Sequence, residues 1–114
     1  MVILQINCNI PQDETSFRDF SGKVTEMLSE TLDVNSSFVQ IIYNYSQSTF
    51  GNQEGPSTLV TLSKNDFNRS EVEAVTSPLS KLLERLIGSP PATTFIQFQS
   101  LTDSEIVWNG RPLR

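Results

Sequence analysis

The sequence predicts an α+β fold of two tandem βαβ units, forming a four-stranded sheet with two helices on one face. Within each half of the chain, the hydrophobic period changes from two to about 3.6 and back. The order strand, helix, strand occurs twice, with corresponding elements about 55 residues apart. The 114 residues suffice for one core but not for two, so we predict a single domain over residues 1–114.

The first unit begins with a strand. Apolar residues alternate with polar ones in residues 2–10, and Pro11 ends the pattern. Ser16, followed three residues later by Asp19, is typical of a helix N-terminus, and the apolar residues beyond it recur at spacings of three and four. Aromatic and β-branched residues predict the second strand at Phe38–Tyr45.

The second unit repeats this order. Strands are predicted at Thr58–Ser63 and Thr93–Leu101, with a helix between them that begins near Ser70. Ser70 and Glu73 have the spacing of a capping box. Pro78 lies inside the helical pattern, so either the helix kinks there or a second helix starts there. Right-handed crossovers make the strands parallel within each unit.

Composition excludes several function classes. The net charge of −5 disfavours nucleic acid and anionic membrane surfaces as partners. No apolar run has the length of a membrane span, and no basic flank precedes the first apolar residues, so we expect a soluble, leaderless cytoplasmic protein. With no histidine and only Cys8, we predict no metal, no cofactor and no Ser-His or Cys-His catalysis. Cys8 is expected to be a small buried hydrophobe.

The predicted strands carry no charge. All eight basic and thirteen acidic residues fall outside them. Two helices cover only one face of the sheet, and a solvated second face would ordinarily carry charged side chains. Here that face has amides and apolar residues: Ile3, Gln5, Asn7, Asn9, Thr61, Gln97 and Gln99. Amides can satisfy their hydrogen bonds in a buried face, so we predict that other copies of the chain cover it.

Short segments along the chain carry a family resemblance. They are residues 1–11, Thr49-Phe50-Gly51, Gly55-Pro56, 82–86 and Trp108-Asn109. Together, in this order and over nearly the whole chain, they resemble macrophage migration inhibitory factor and its relatives in the tautomerase superfamily. The resemblance implies a homotrimer in which the sheets enclose a central channel and the helices lie outside.

Members of this family typically catalyse keto–enol tautomerisation of 2-keto acids such as phenylpyruvate. The base is an N-terminal proline exposed by removal of the initiator Met, and a lysine after the first helix helps to hold the substrate carboxylate. This chain has Val2 and Val34 at those positions, and Phe95 and Gln97 where the family has a pocket tyrosine and asparagine. We therefore name no catalytic residue and predict that tautomerase activity is lost or weakened.

Three further residues are pocket candidates. Lys64 follows the third predicted strand and could meet a carboxylate in place of the missing lysine, but we favour a solvated lysine. Ile106 and Trp108 could cover a pocket for an aromatic ligand, but we favour packing of the C-terminal segment.

Three hypotheses about function follow. The first is a trimeric pseudoenzyme of this superfamily with a binding role. The second is an enzyme: a weak tautomerase of small aromatic 2-keto acids that uses the amine of Met1 or of a processed Val2, with Lys64 or a tail arginine (Arg111, Arg114) holding the acid. The third keeps the order of elements but not the family, giving a ferredoxin-like regulatory or binding module.

Overall fold

The elements of the fold follow the predicted order in a computed structural model, which describes residues Met1–Arg114. The strands are β1 (Val2–Cys8), β2 (Val39–Tyr45), β3 (Thr58–Asn65) and β4 (Thr94–Leu101), and the helices are α1 (Glu14–Leu32) and α2 (Arg69–Ile87). Short 3-10 turns lie at Ser36–Phe38, Pro91–Thr93 and Asp103–Glu105. Two short strands, β5 (Val107–Trp108) and β6 (Arg111–Pro112), form a C-terminal hairpin.

The sheet has the strand order β2-β1-β3-β4. Strands β1 and β2 are parallel neighbours, as are β3 and β4, while β1 and β3 are antiparallel. The prediction of two βαβ units with parallel pairs is confirmed. A ferredoxin-like module splits each parallel pair by an intervening strand, so the ferredoxin-like topology of the third hypothesis is wrong for this chain.

One hydrophobic core joins the helices to one face of the sheet. Its buried side chains are Val2, Leu4, Ile6, Cys8, Phe20, Val24, Leu28, Leu32, Val60, Leu62, Val75, Leu79, Leu82, Leu83 and Ile87. The period-two residues of β1 and the helical stripes therefore meet, as their spacings predict. Cys8 is fully buried among them, as expected. Neither helix is both long enough and apolar enough to span a bilayer.

Helix α1 begins earlier than predicted. Asp13 is its N-cap, and the side-chain oxygen Oδ1 accepts a hydrogen bond from the backbone N–H of Ser16 at 2.7 Å. That hydrogen bond also lowers the pKa of the Asp13 carboxyl below its usual value. The prediction of an N-terminus at Ser16 is wrong because a carboxylate three residues earlier supplies the acceptor.

Helix α2 also begins earlier than predicted. Asn68 is the N-cap: its side chain accepts from the backbone N–H of Glu71 at 2.9 Å, and the Glu71 carboxylate accepts from the backbone N–H of Asn68 at 3.1 Å. The capping box predicted at Ser70 and Glu73 is wrong. The same spacing occurs two residues earlier, and Glu73 instead pairs with Arg69.

This assignment predicts that Asn68→Ala lowers the free energy of unfolding by about 1 kcal/mol, because one helix N–H loses its acceptor. Ser70→Ala is the matched control, since Ser70 is exposed and does not cap the helix; its effect should stay below about 0.5 kcal/mol. Urea denaturation followed by circular dichroism measures both. A larger loss for Ser70→Ala would contradict the Asn68 cap.

Pro78 does not split α2, which runs unbroken from Arg69 to Ile87. The proline removes one hydrogen bond, the one that the Ala74 carbonyl would accept. Ala74 is exposed, so water can hydrate this carbonyl. Val75 and Leu79, the residues that directly follow Ala74 and Pro78, are fully buried and hold the helix against the core.

The second face of the sheet carries no charged side chain and has no helix over it. In register across β2, β1, β3 and β4 it presents the rows Gln40-Ile3-Ser63-Gln99, Ile42-Gln5-Thr61-Gln97 and Asn44-Asn7-Leu59-Phe95. Amides and hydroxyls pair across strands in each row, as Gln97 does by donating to Thr61 Oγ1 at 3.0 Å. We call these three rows the open face.

Lys64 requires one correction to the charge pattern. Because β3 extends to Asn65, Lys64 lies within a strand rather than after it. It is paired with Val2, a core residue, and so lies on the helix side of the sheet, where it forms an ion pair with Glu71 of α2. The four-stranded sheet therefore contains one charged residue, Lys64, whereas the open face contains none.

Candidate ligand cavity

A cavity of about 370 Å³ lies at the amino-terminal end of β1. Three parts of the chain form it: the start of β1, the turn leading into β2, and the segment around β5. Eight of its ten lining residues are hydrophobic and none is an acid, a lysine or an arginine: Met1, Val2, Ile3, Ser37, Phe38, Val39, Gln40, Ile106, Val107 and Trp108. The volume falls in the range of small-molecule sites.

An aromatic pair forms part of the cavity wall. The rings of Phe38 and Trp108 meet edge to face, with centroids 5.1 Å apart and an interplanar angle of 76°. The two residues remain 40% and 55% exposed. The sequence analysis favoured packing of the C-terminal segment as the role of Trp108. In the structure Trp108 packs on Phe38 and also lines the cavity.

The C-terminal hairpin positions Trp108. Strands β5 and β6 are joined by Asn109 and Gly110, both with positive φ, the conformation that a two-residue hairpin turn requires. Arg111 is therefore part of a strand rather than of a loose tail, and the Arg114 guanidinium lies 3.7 Å from the Asp103 carboxylate. The hairpin holds the indole at the mouth of the cavity.

The amine of Met1 lies beside the cavity and donates a hydrogen bond to Asn65 Oδ1 at 3.4 Å. Burial, followed by the nearby charge of Lys64, lowers the pKa of this amine below its ordinary value, while Asp103 acts in the opposite direction. A larger share of the amine is therefore uncharged near neutral pH than in a free peptide.

Lys64 is neither solvated nor free. Its Nζ lies 3.1 Å from Glu71 Oε2 and donates to the backbone carbonyl of Asn65 at 3.1 Å. The Lys64 and Glu71 side chains are only 14% and 19% exposed. Lys64 does not line the cavity, and its charge is already matched.

The comparisons with known proteins bear on the fold. No protein-family model matches the sequence, and no curated protein matches it significantly. Among solved structures, the chain is similar to macrophage migration inhibitory factor from Trichinella spiralis, with 26% identity, 96% of this chain and 98% of that one covered, and a TM-score of 0.85. The homologue from Prochlorococcus marinus has 18% identity, coverage of 98% and 99%, and a TM-score of 0.91. The Toxoplasma gondii protein has 19% identity, coverage of 96% and 98%, and a TM-score of 0.89.

The chain has the macrophage migration inhibitory factor fold of the tautomerase superfamily. The resemblance seen in the sequence is thereby confirmed at the level of fold. Val2, at the position where the resemblance implies a catalytic proline, is fully buried at the start of β1 and lines the cavity. With Met1 in place, the Val2 nitrogen is an amide.

Val34, at the position where the resemblance implies a lysine, does not line the cavity. It follows α1, where its carbonyl accepts a hydrogen bond from Ser29 Oγ at 2.6 Å and its side chain packs against the core. An apolar residue suits this place because the side chain contacts the core rather than a ligand.

Phe95 and Gln97 lie on the open face, away from the cavity of their own chain. Phe95 pairs with Leu59, which in turn pairs with Asn7 of β1. Asn7 is five residues along β1 from Val2, and Phe95 lies two strands away from β1. At about 3.3 Å per residue and about 4.8 Å per strand, that separation is roughly 19 Å. Phe95, 66% exposed, instead contacts Phe50, with ring centroids 5.1 Å apart, and both line a second cavity of about 360 Å³.

Of the seven pocket candidates, Val2, Ile106 and Trp108 line the cavity together. The other four lie outside it: Val34, Lys64, Phe95 and Gln97. Sequence reasoning missed Phe38 and Val39 as wall residues. Val39 pairs with Val2 in the parallel β1–β2 ladder, so the predicted parallel pairing was a usable signal for it. Phe38 had no such signal, because its contact with Trp108 joins residues 70 positions apart in sequence.

Proposed function

We propose that this protein is a single-domain, trimeric relative of macrophage migration inhibitory factor that binds a small molecule in the amino-terminal cavity and has lost or weakened keto–enol tautomerase activity. The observation that carries the proposal is the buried Val2 at the position of the family's catalytic proline. An amide nitrogen has no basic lone pair at neutral pH, so the proton-abstracting group is missing while the cavity beside it persists.

The open face supports the trimer. It combines a charge-free surface with the exposed apolar residues Leu59 and Phe95, a composition that suits burial against protein better than contact with water. The roughly 19 Å between Val2 and Phe95 adds a second argument. If Phe95 and Gln97 are pocket residues, as the resemblance implies, they must come to the cavity from a neighbouring copy.

A phenylpyruvate or hydroxyphenylpyruvate tautomerase assay on the full chain, with Met1 verified by intact mass, tests the loss of activity. We expect a rate within about tenfold of the uncatalysed reaction, because general base catalysis typically contributes about 100-fold or more. An enzyme-like rate with Met1 in place would contradict the proposal.

The lowered pKa of the Met1 amine favours one second candidate, a weak tautomerase of aromatic 2-keto acids. In that function the amine takes the substrate proton and Lys64 holds the carboxylate. Acetylation of the amine separates the two functions, because it abolishes the activity of the second candidate and leaves cavity binding in the first. The ion pair of Lys64 with Glu71 weighs against the second candidate.

A further inference from the structure

The charge inventory around the amino-terminal cavity bears on the ligand it accepts. No lining residue is ionised in its side chain, and the lining is mostly aliphatic and aromatic. The nearest lysine, Lys64, is held by Glu71 and by the carbonyl of Asn65. Arg111, opposite Trp108 in the C-terminal hairpin, is exposed and does not line the cavity. A ligand carboxylate entering this cavity would therefore lose its hydration without a charged side chain in the lining to replace it, and such burial of an unpaired ion is costly.

The Met1 amine does not change this balance. It already donates to Asn65 Oδ1 at 3.4 Å, and burial lowers the pKa of this amine below its ordinary value. Within one chain, the polar side chains left to a ligand are those of Ser37 and Gln40 at the cavity wall, and the proposed trimer would add only the uncharged Gln97 amide and Phe95 ring of a neighbouring copy. A hydroxyl and an amide suit a neutral hydrogen-bonding group, such as a ligand amide or phenol.

The aromatic wall adds shape to this preference. Phe38 and Trp108 keep much of their ring surface exposed, so a flat aromatic ring can pack against them in offset or edge-to-face contact. A cavity of about 370 Å³ has room for one such ring with a short substituent.

We infer that the amino-terminal cavity selects uncharged aromatic ligands and rejects their carboxylates, the opposite of the preference for 2-keto acids that the family resemblance implies. This inference rests on the binding role proposed above and specifies its ligand class. It follows from the absence of ionised side chains in the lining and from the Lys64–Glu71 ion pair.

Phenylacetamide and phenylacetate provide a matched neutral and anionic pair. Trp108 is the only tryptophan of the chain and lines the cavity, so its fluorescence reports binding there. Titration at about pH 8.5 keeps the Met1 amine mostly uncharged. We expect phenylacetamide to bind at least about tenfold more tightly than phenylacetate.

Two variants of Ser37, an exposed residue of the turn before β2, test the electrostatic cause. Ser37→Lys adds a cation to the wall and should bring phenylacetate to equal or tighter binding than phenylacetamide. Ser37→Gln, the uncharged control, should keep the preference for the amide. A lysine variant with an unchanged preference would overturn the electrostatic argument.

The outcomes distinguish the inferred ligand class from the proposed binding role. Phenylacetate binding to the unaltered protein as tightly as phenylacetamide would overturn the ligand class and leave the binding role standing. If neither compound changes the Trp108 signal, both are overturned. Methyl NMR of the same titration provides an internal control. Met27, the second methionine, lies in the groove between the helices, so its methyl resonance should not shift.

Discussion

Gln5→Lys should convert the proposed trimer to monomers. Gln5 lies in the middle of the open face, flanked in register by Ile42 and Thr61, and is exposed in the single chain. A lysine there is therefore tolerated by the monomer, but assembly would bury an unpaired ammonium in each subunit. We expect the dissociation constant to rise by at least about a thousandfold, since each such burial costs several kcal/mol.

Sedimentation velocity measures this change, and circular dichroism verifies that the variant stays folded. Ala74→Lys is the matched control, because it adds the same charge to the exposed side of α2, where the proposed assembly makes no contact. Dissociation of the Ala74→Lys trimer, or persistence of the Gln5→Lys trimer, would argue against burial of the open face.

Val2→Pro should gain tautomerase activity toward phenylpyruvate once Met1 is removed. The substitution supplies a secondary amine at the cavity, where an apolar lining disfavours the ammonium form and leaves the base free. Proline is tolerated as the first residue of a strand, which is where Val2 lies. We expect at least about a 100-fold increase over the unaltered protein, the usual contribution of a positioned base.

Val2→Ala, also processed to remove Met1, is the control for this experiment. It creates a primary amine at the same place, so a gain confined to Val2→Pro identifies the secondary amine as the missing element. Val34 and Phe95 remain unable to supply the family's lysine and tyrosine groups, so a fully restored rate is not expected. Equal rates for the unaltered protein and Val2→Pro would contradict the assigned loss.

The strands and helices could be predicted because each has a periodic apolar side that needs the same core. The start of α2 was missed because two overlapping segments match the capping-box pattern. Phe67 before Asn68 and Val72 after it have the spacing of a hydrophobic staple, a local signal that favours the observed cap. The Asn109-Gly110 pair was a second unused signal, since it is typical of a tight hairpin.

The site was less predictable than the fold. The cavity depends on Phe38 meeting Trp108, a contact set by the whole path of the chain rather than by local pattern. A solvated Lys64 was favoured because its ion pair with Glu71 joins β3 to α2, a tertiary contact that the local sequence pattern does not show. Phe95 and Gln97 can be related to the cavity only through a second copy, which one sequence does not describe.

The mass of the unaltered protein in solution tests the central claim most directly, because both the covered open face and the shared cavity require neighbours. Native mass spectrometry or sedimentation equilibrium at micromolar concentration should give three times the 12.8 kDa mass of the chain. A species of 12.8 kDa that persists as the protein is concentrated would contradict the account.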